Sequence, residues 1–371
     1  MKYFLLVIFL LLVREIVYTQ DFVRNVLYGE RYFNTDTLLV CFDKNGDIYP
    51  DYFIADSSLK QDSSLSNWYK KHPLVFEQIA QQYNCTFQEY SDTNIQILDD
   101  SILINLSKKI NSKSIIDSSV TFMIHGFRKS FTQTRNEKTS GEDFEILEQT
   151  ISKFTLSTLY VKVYWDAMYG CCFSKNISHN KVLFHLFEIA EQNATKVGKQ
   201  FRKLLVDTQF DTINIISHSL GAKVACEALF NCSAESIGIT PSNKCINICL
   251  IAPAIAGIKT FKNYYNRNSQ INFKQKDNYR LAILYNEKDF VLKKKDSVIE
   301  VLGPGPYKYG NTTLGCNYHN AAIHLQDYFI TNYPNSTITL FNLSSVGKCH
   351  HLGKCYCYGD NLKAMVNFMK E

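Results

Sequence analysis

Hydrophobic residues from about residue 115 onward fall into short, nearly uninterrupted runs, and amphipathic stretches of helical length separate them. The runs predict strands at 119–124 (SVTFMI), 158–165 (TLYVKVYW), 212–217 (TINIIS), 246–251 (INICLI), 280–285 (RLAILY) and 337–343 (TITLFNL). The stretches between them predict helices at 142–157, 182–206, 220–230, 319–332 and 361–370. Nearly continuous apolar strands that alternate with helices are typical of a parallel sheet with helices on both faces. The pattern therefore predicts an α/β fold with a mostly parallel sheet.

The N-terminal part of the chain has a less regular pattern. It contains a strand-like run at 37–42 and a helical stretch near 73–83. We expect residues 20–115 to form a pair of N-terminal strands with an extension, and residues 116–371 to form the main domain.

The first residues have the pattern of a signal peptide. An apolar run, FLLVIFLLLV, follows Lys2 and is too short to cross a bilayer, so residues 1–19 are predicted to be removed on export. Arg14 and Glu15 interrupt the apolar stretch, which leaves an uncleaved anchor open. Eight Asn-x-Ser/Thr sites agree with a secreted glycoprotein: Asn84, Asn105, Asn176, Asn193, Asn231, Asn311, Asn335 and Asn342.

The cysteine content and the net charge further limit the possible functions. All 12 cysteines follow the predicted signal segment, and most should form disulfides in an oxidising compartment. The net charge of +5 is too mild to indicate a nucleic-acid partner, and no glycine-rich phosphate loop follows a strand.

The strongest chemical motif is Ser217-His218-Ser219-Leu220-Gly221, which lies between a predicted strand and a predicted helix. This context is that of a nucleophile elbow, in which a sharp turn pushes a serine out of the sheet toward substrate. Small residues two positions away on either side let the strand and the helix pass closely. Ser219 is therefore the candidate nucleophile, with Ser217 in place of the usual first glycine.

A second motif, His125-Gly126-Phe127, ends the strand VTFMI. In serine hydrolases of this architecture, a backbone N–H after this strand and the N–H after the nucleophile together bind the oxyanion. These donors would be Phe127 and Leu220. We expect His125 to position the loop and to transfer no proton.

Three segments resemble secreted pancreatic-type lipases and, equally, a family of bacterial α/β hydrolases of uncharacterised function. They are VTFMIHGF, LYVKVYWDAMYG and INIISHSLGAKVACEAL, and the resemblance to the lipases spans about residues 118–230. It implies the α/β-hydrolase fold and cleavage of carboxylic esters, with lipid esters favoured. Pancreatic-type lipases have their triad acid in a Leu-Asp-Pro-Ala motif, but this chain has Ala252 at that position.

The acid could instead follow the next strand, as in the bacterial group that the chain resembles. There Asp289 lies in a turn before Phe290-Val291-Leu292, and Glu287 is the alternative.

The base should be a histidine further along the chain, since these hydrolases have the order nucleophile, acid, histidine. His351 follows the last predicted strand and is our prediction, with His350 and His319 as alternatives and His324 less favoured because it is mid-helix. Cys349, Cys355 and Cys357 near these histidines could also indicate a zinc site, although in an exported chain a loop braced by disulfides is the preferred interpretation.

The sequence thus predicts a secreted serine esterase or lipase. Ser219 would attack the ester, His351 would transfer the proton and Asp289 would orient the histidine. No metal or organic cofactor is implied, and a lipid ester as substrate would involve transient contact with a lipid surface. The alternative is a non-catalytic binding or storage protein on a lipase-like scaffold.

Overall fold

The computed structural model describes residues 38–50, 64–87, 90–114, 117–127, 140–154, 156, 159–167, 179–230, 245–258, 260–261, 279–292 and 314–371. The predicted signal segment lies outside these residues. Among the described helices, none is long and apolar enough to span a membrane.

Seven strands form one sheet in the described part of the chain. They are β1 (Leu38–Phe42), β2 (Ser119–Ile124), β3 (Leu159–Trp165), β4 (Thr212–His218), β5 (Cys245–Ile251), β6 (Tyr279–Tyr285) and β7 (Thr337–Asn342). Their order is β1-β3-β2-β4-β5-β6-β7, and every neighbouring pair is parallel. The predicted α/β class and each predicted strand from 119 onward are confirmed within a residue or two.

The described helices separate or follow these strands. They are α1 (Leu65–Lys71), α2 (Pro73–Gln82), α3 (Asp92–Asn111), α4 (Ser140–Ser152), α5 (His179–Asp207), α6 (Gly221–Phe230), α7 (Ala321–Asn332) and α8 (Lys363–Lys370). The described residues between 38 and 114 form β1 and three helices. The expected partner strand stays a prediction, since residues 20–37 and 51–63 lie outside the described part of the chain. Among the described strands, β1 lies at one end of the sheet and pairs with β3.

One face of the sheet carries α4 and α8. Asn247 of β5 donates a hydrogen bond of 2.7 Å to the Met369 carbonyl of α8. Lys162 of β3 forms a 3.2 Å ion pair with Glu148 of α4. Because side chains alternate along a strand, the register places Asn247 and Lys162 on the same face.

The opposite face carries α5 and α6. Phe122 of β2 is fully buried and makes an edge-to-face contact with Phe201 of α5, with ring centroids 5.3 Å apart. Helices α5 and α6 approach closely at Gly198, where an added methyl group would lie 2.6 Å from the Cβ of Glu227. Helices therefore cover both faces, as predicted, and the carboxyl ends of all seven strands form one edge.

The exposure of two predicted glycosylation sites differs. Asn84 is exposed. Asn193 is only 5% exposed on the inner side of α5, so burial excludes modification of this site after folding.

Candidate active site

Ser219 lies at the turn between β4 and α6, directly after the last residue of the strand. Its φ of +53° is in the left-handed region, which is uncommon for a residue with a side chain. Three backbone hydrogen bonds impose this conformation: the Ser219 N–H donates to the Ile251 carbonyl at 2.9 Å, and the Ser219 carbonyl accepts from the N–H groups of Ala254 and Ala222 at 3.0 and 3.2 Å. Such strain persists where surrounding structure over-determines the backbone, as it does in a nucleophile elbow.

Two glycines allow the neighbouring segments to pack against this turn. An added methyl group on Gly221 would lie 2.5 Å from the carbonyl oxygen of His125. An added methyl group on Gly126 would lie 2.7 Å from the Cβ of Ser219. The loop after β2 is therefore in direct contact with the elbow, and Ser217 takes the place of the first glycine while only 1% exposed.

A histidine and an aspartate extend from Ser219 in a hydrogen-bonded chain. The Nε2 atom of His350 lies 2.9 Å from the Ser219 Oγ atom. The Nδ1 atom of His350 lies 2.6 Å from the Oδ2 atom of Asp289. A carboxylate only accepts hydrogen bonds, so Nδ1 carries the proton and Nε2 is left to accept from the serine hydroxyl. This is the geometry of a Ser-His-Asp triad.

The prediction that His351 occupies the middle position is wrong, because His350 occupies it. The Nδ1 atom of His351 instead lies 4.0 Å from the Oδ1 atom of Asp143, a buried residue of α4. Adjacent side chains in an extended segment point in different directions, so only one of two neighbouring histidines can face Ser219. His351 has an extended backbone, with φ −82° and ψ 123°.

The backbone of the His350 loop is held from three sides. The side chain of Asn286 donates to the carbonyls of Gly347 and Cys349 at 2.8 and 3.0 Å. A disulfide joins Cys349 to Cys355 across the histidine pair. The Nε2 atom of His218, the residue before the nucleophile, lies 2.9 Å from the His350 carbonyl, which requires Nε2 to be the donor.

Asp289 is fully buried and its carboxylate is held by neighbouring donors. The Oδ1 atom accepts from the N–H groups of Val291 and Leu292 at 2.9 and 3.1 Å. The Oδ2 atom accepts from His350 and, at 3.4 Å, from the hydroxyl of Tyr356. The sequence motifs indicated neither Asn286 nor Tyr356, because both act through atoms that only the folded loops bring together.

The alternative acid and bases lie elsewhere. Glu287 is exposed, and its Oε1 atom accepts from Asn317 at 3.2 Å. His319 is exposed with a φ of +50°, and its ring contacts Tyr318. His324 is an exposed residue of α7.

Ala252 occupies the position of the lipase-type acid and is fully buried, with a φ of +45°. An added methyl group on Gly315 would lie 2.6 Å from its carbonyl carbon. The segment at Gly315 therefore fills the space beyond β5, and the available acid comes from the loop after β6.

His125 holds the loop after β2 in place, as expected. Its Nε2 atom accepts from the Trp165 N–H at 3.1 Å, which leaves Nδ1 to donate to the Gly126 carbonyl at 2.9 Å. Its ring stacks on Trp165. Both ring nitrogens are thus used to hold the loop that contains Phe127, and this loop and Leu220 flank Ser219.

The cysteines near His350 do not form the alternative zinc cluster. Cys349 and Cys355 are joined, and both nitrogens of His350 face other partners. Cys357 is a buried thiol whose pKa is raised to about 12, first by burial and then by the Asp143 carboxylate. The predicted bracing disulfide is therefore confirmed for one pair.

The expectation that most cysteines are oxidised is not met by several described residues. Cys85, Cys245 and Cys249 are thiols. Cys249 is fully buried in strand β5, and burial raises its pKa well above the ordinary value. A core thiol of this kind behaves as a small hydrophobic side chain.

Comparisons with known proteins found one matching family and a distant solved structure. The sequence model of the family described as "Alpha/beta hydrolase of unknown function (DUF900)" matches residues 172–301, about a third of the chain. A solved structure described as "the putative cell surface hydrolase from Lactobacillus plantarum WCFS1" is 11% identical, with a TM-score of 0.32, over 68% of this chain and 90% of that one. No curated protein matches at a significant level. The parallel seven-stranded sheet and the family match identify the fold as that of the α/β hydrolases.

Proposed function

We propose that this protein is a secreted serine esterase that hydrolyses carboxylic esters through Ser219, His350 and Asp289. The observation that carries the proposal is the continuous hydrogen-bonded chain from Ser219 through His350 to Asp289, with distances of 2.9 and 2.6 Å. A serine hydroxyl is a weak nucleophile unless an oriented base accepts its proton. This arrangement supplies both the base and the group that orients it.

The proposed reaction begins with attack of the Ser219 Oγ atom on the ester carbonyl carbon, while its proton passes to Nε2 of His350. The resulting oxyanion would accept hydrogen bonds from the backbone N–H groups of Phe127 and Leu220. His350 then returns the proton to the departing alcohol, which leaves an acyl group on Ser219. A water molecule, deprotonated by His350, releases the carboxylic acid and restores the serine.

Asp289 has two functions in this proposal. Its Oδ2 atom fixes the proton on Nδ1 of His350, and its charge stabilises the imidazolium that forms during attack. Because Asp289 is fully buried and its Oδ1 atom is bound by two backbone N–H groups, the carboxylate cannot rotate away without losing those hydrogen bonds.

Export is part of the proposal. The Cys349–Cys355 disulfide beside His350 supports folding in an oxidising compartment, as do the N-terminal apolar run and the exposed acceptor Asn84. Lipid esters are the substrate class we favour, on the resemblance of residues 118–230 to secreted lipases.

The experiment is a panel of p-nitrophenyl esters with increasing acyl length, together with the matching anilides, assayed with the secreted protein. We expect ester cleavage that falls by at least about 10⁴-fold in Ser219→Ala, since removing a triad member leaves only binding and oxyanion stabilisation. Ser345→Ala, an exposed serine in the segment before His350, is the matched control and should keep full activity. Equal turnover in Ser219→Ala and wild type would contradict the proposal, and preference for long acyl chains would support lipid esters.

A further inference from the structure

Tyr356 lies against the buried side of the Asp289–His350 pair. Its side chain is fully buried, and its hydroxyl donates to the Oδ2 atom of Asp289 at 3.4 Å. The same oxygen atom accepts from Nδ1 of His350 at 2.6 Å. Two donors from different residues therefore share one carboxylate oxygen.

The tyrosine can act only as a donor to this carboxylate. Burial raises the pKa of Tyr356 far above its ordinary value, and the negative charge of Asp289 raises it further. A raised pKa favours the protonated phenol, whose O–H group can donate to Asp289.

We propose that Tyr356 is a positioning residue that sets how strongly Asp289 holds the proton of His350, an inference that rests on the proposed function. A hydrogen bond to a carboxylate disperses its charge, so the carboxylate attracts the adjacent imidazolium less strongly. Tyr356 therefore weakens the hold of the Asp289 carboxylate on the imidazolium of His350.

Tyr356 and His350 lie close together in the chain, in a segment that contains the disulfide. Tyr356 ends the turn at Leu352–Tyr356, and the preceding residue, Cys355, is bonded to Cys349, which precedes His350. The N–H of Cys355 donates to the His351 carbonyl at 3.1 Å. The disulfide-closed loop at 349–355 thus carries His350, and Tyr356 follows this loop directly, so both side chains reach the same oxygen atom.

Other titratable groups around this pair are few among the described residues. The ring of His218 lies 4.9 Å from that of His350 and 6.3 Å from that of Tyr356, measured between centroids. Cys316 also acts electrostatically on Tyr356.

The test compares the pH dependence of kcat/KM in wild type, Tyr356→Phe and Tyr358→Phe. Tyr358 lies two residues away and is 76% exposed, so its variant is a matched control that should behave as wild type. We expect Tyr356→Phe to shift the acid limb of the profile to higher pH by about one unit. This shift lowers kcat/KM about tenfold at pH values below the limb and leaves the plateau nearly unchanged. A uniform loss at every pH, or an unmoved limb, would overturn the proposal.

A second measurement separates this inference from the proposed function. The titration of the His350 ring followed by NMR needs no substrate, and Tyr356→Phe should move its midpoint upward by the same amount. If wild type fails to cleave esters, the proposed function fails while this shift still tests Tyr356. If Tyr356→Phe does not fold, the wild-type Tyr356 hydroxyl proton should show a nuclear Overhauser effect to the His350 ring N–H, and its absence would overturn the proposal.

Discussion

Two acidic residues lie two positions apart after β6 and have opposite surroundings. Asp289 is fully buried with His350 at 2.6 Å, whereas Glu287 is exposed and contacts Asn317. We expect Asp289→Asn to lower kcat by about 10³- to 10⁴-fold, because an amide no longer enforces the required tautomer of His350. Glu287→Gln should stay within about twofold of wild type. Steady-state kinetics on the two variants checks this, and a larger loss in Glu287→Gln would reassign the acid.

The sequence could identify Ser219 and Asp289 because each follows a predicted strand in a recognisable local pattern. It could not choose between His350 and His351. That choice depends on which way each ring points, and long-range hydrogen bonds set this direction: Asn286 to the Cys349 carbonyl and His218 to the His350 carbonyl. Neither bond leaves a pattern in the local sequence.

A disulfide closes the loop that carries His350, so we expect its removal to lower both the stability of the protein and its catalytic rate. Replacing both cysteines, Cys349→Ser with Cys355→Ser, should lower the free energy of unfolding by about 2 kcal/mol and lower kcat more than KM changes. Cys245→Ser, which removes a partly exposed thiol at the start of β5, is the control and should keep kcat. Urea unfolding and ester kinetics measure the two effects, and an unchanged kcat in the double variant would show that the loop holds His350 without the bridge.

The elements that the sequence predicted best are the central strands, since burial on both faces leaves a continuous apolar signal. Helix α3 was missed. Its buried residues recur at helical spacing, at Ile95, Leu98, Ile102 and Leu106, but Ile97 and Ile104 on its other side are 46% and 49% exposed. Because these isoleucines are exposed, the solvent-facing side of the helix is not uniformly polar. The contrast between faces by which an amphipathic helix is recognised is therefore weak.

At the scale of the whole molecule, buried carboxylates near the end of β1 make stability depend on pH. Burial raises the pKa of Asp99 well above the ordinary value, and Asp47 and Asp43 raise it further. The folded state then binds the proton of the Asp99 carboxyl group more tightly than the unfolded state does. Its contribution to stability is fully present below about pH 3.8 and is lost as pH rises through the raised folded pKa.

Asp99→Asn should therefore stabilise the protein at neutral pH and have little effect in acid. The amide oxygen can still accept the Ile48 N–H, which lies 3.3 Å from Asp99 Oδ1. We therefore expect the free energy of unfolding to rise at neutral pH and to change little in acid, since only the ionised carboxylate is penalised by burial. Asp100→Asn is the control, because Asp100 is exposed in a salt bridge with Lys203. Urea unfolding at several pH values gives the result, and a loss of stability in Asp99→Asn at neutral pH would contradict it.

The parallel sheet also explains how the candidate site assembles from distant parts of the chain. Ser219 and His350 are 131 positions apart, yet both follow strands whose carboxyl ends share one edge. This topology was predictable from the alternating strands and helices.

The central claim is that Ser219 is a nucleophile activated by His350. Its most direct test is mass spectrometry of the protein after reaction with a fluorophosphonate, in wild type, His350→Gln and His351→Gln. The account predicts an adduct on Ser219 in wild type and in His351→Gln, and a rate of labelling lower by orders of magnitude in His350→Gln. Absence of an adduct on Ser219 in folded wild type, or loss of labelling in His351→Gln with its retention in His350→Gln, would contradict it.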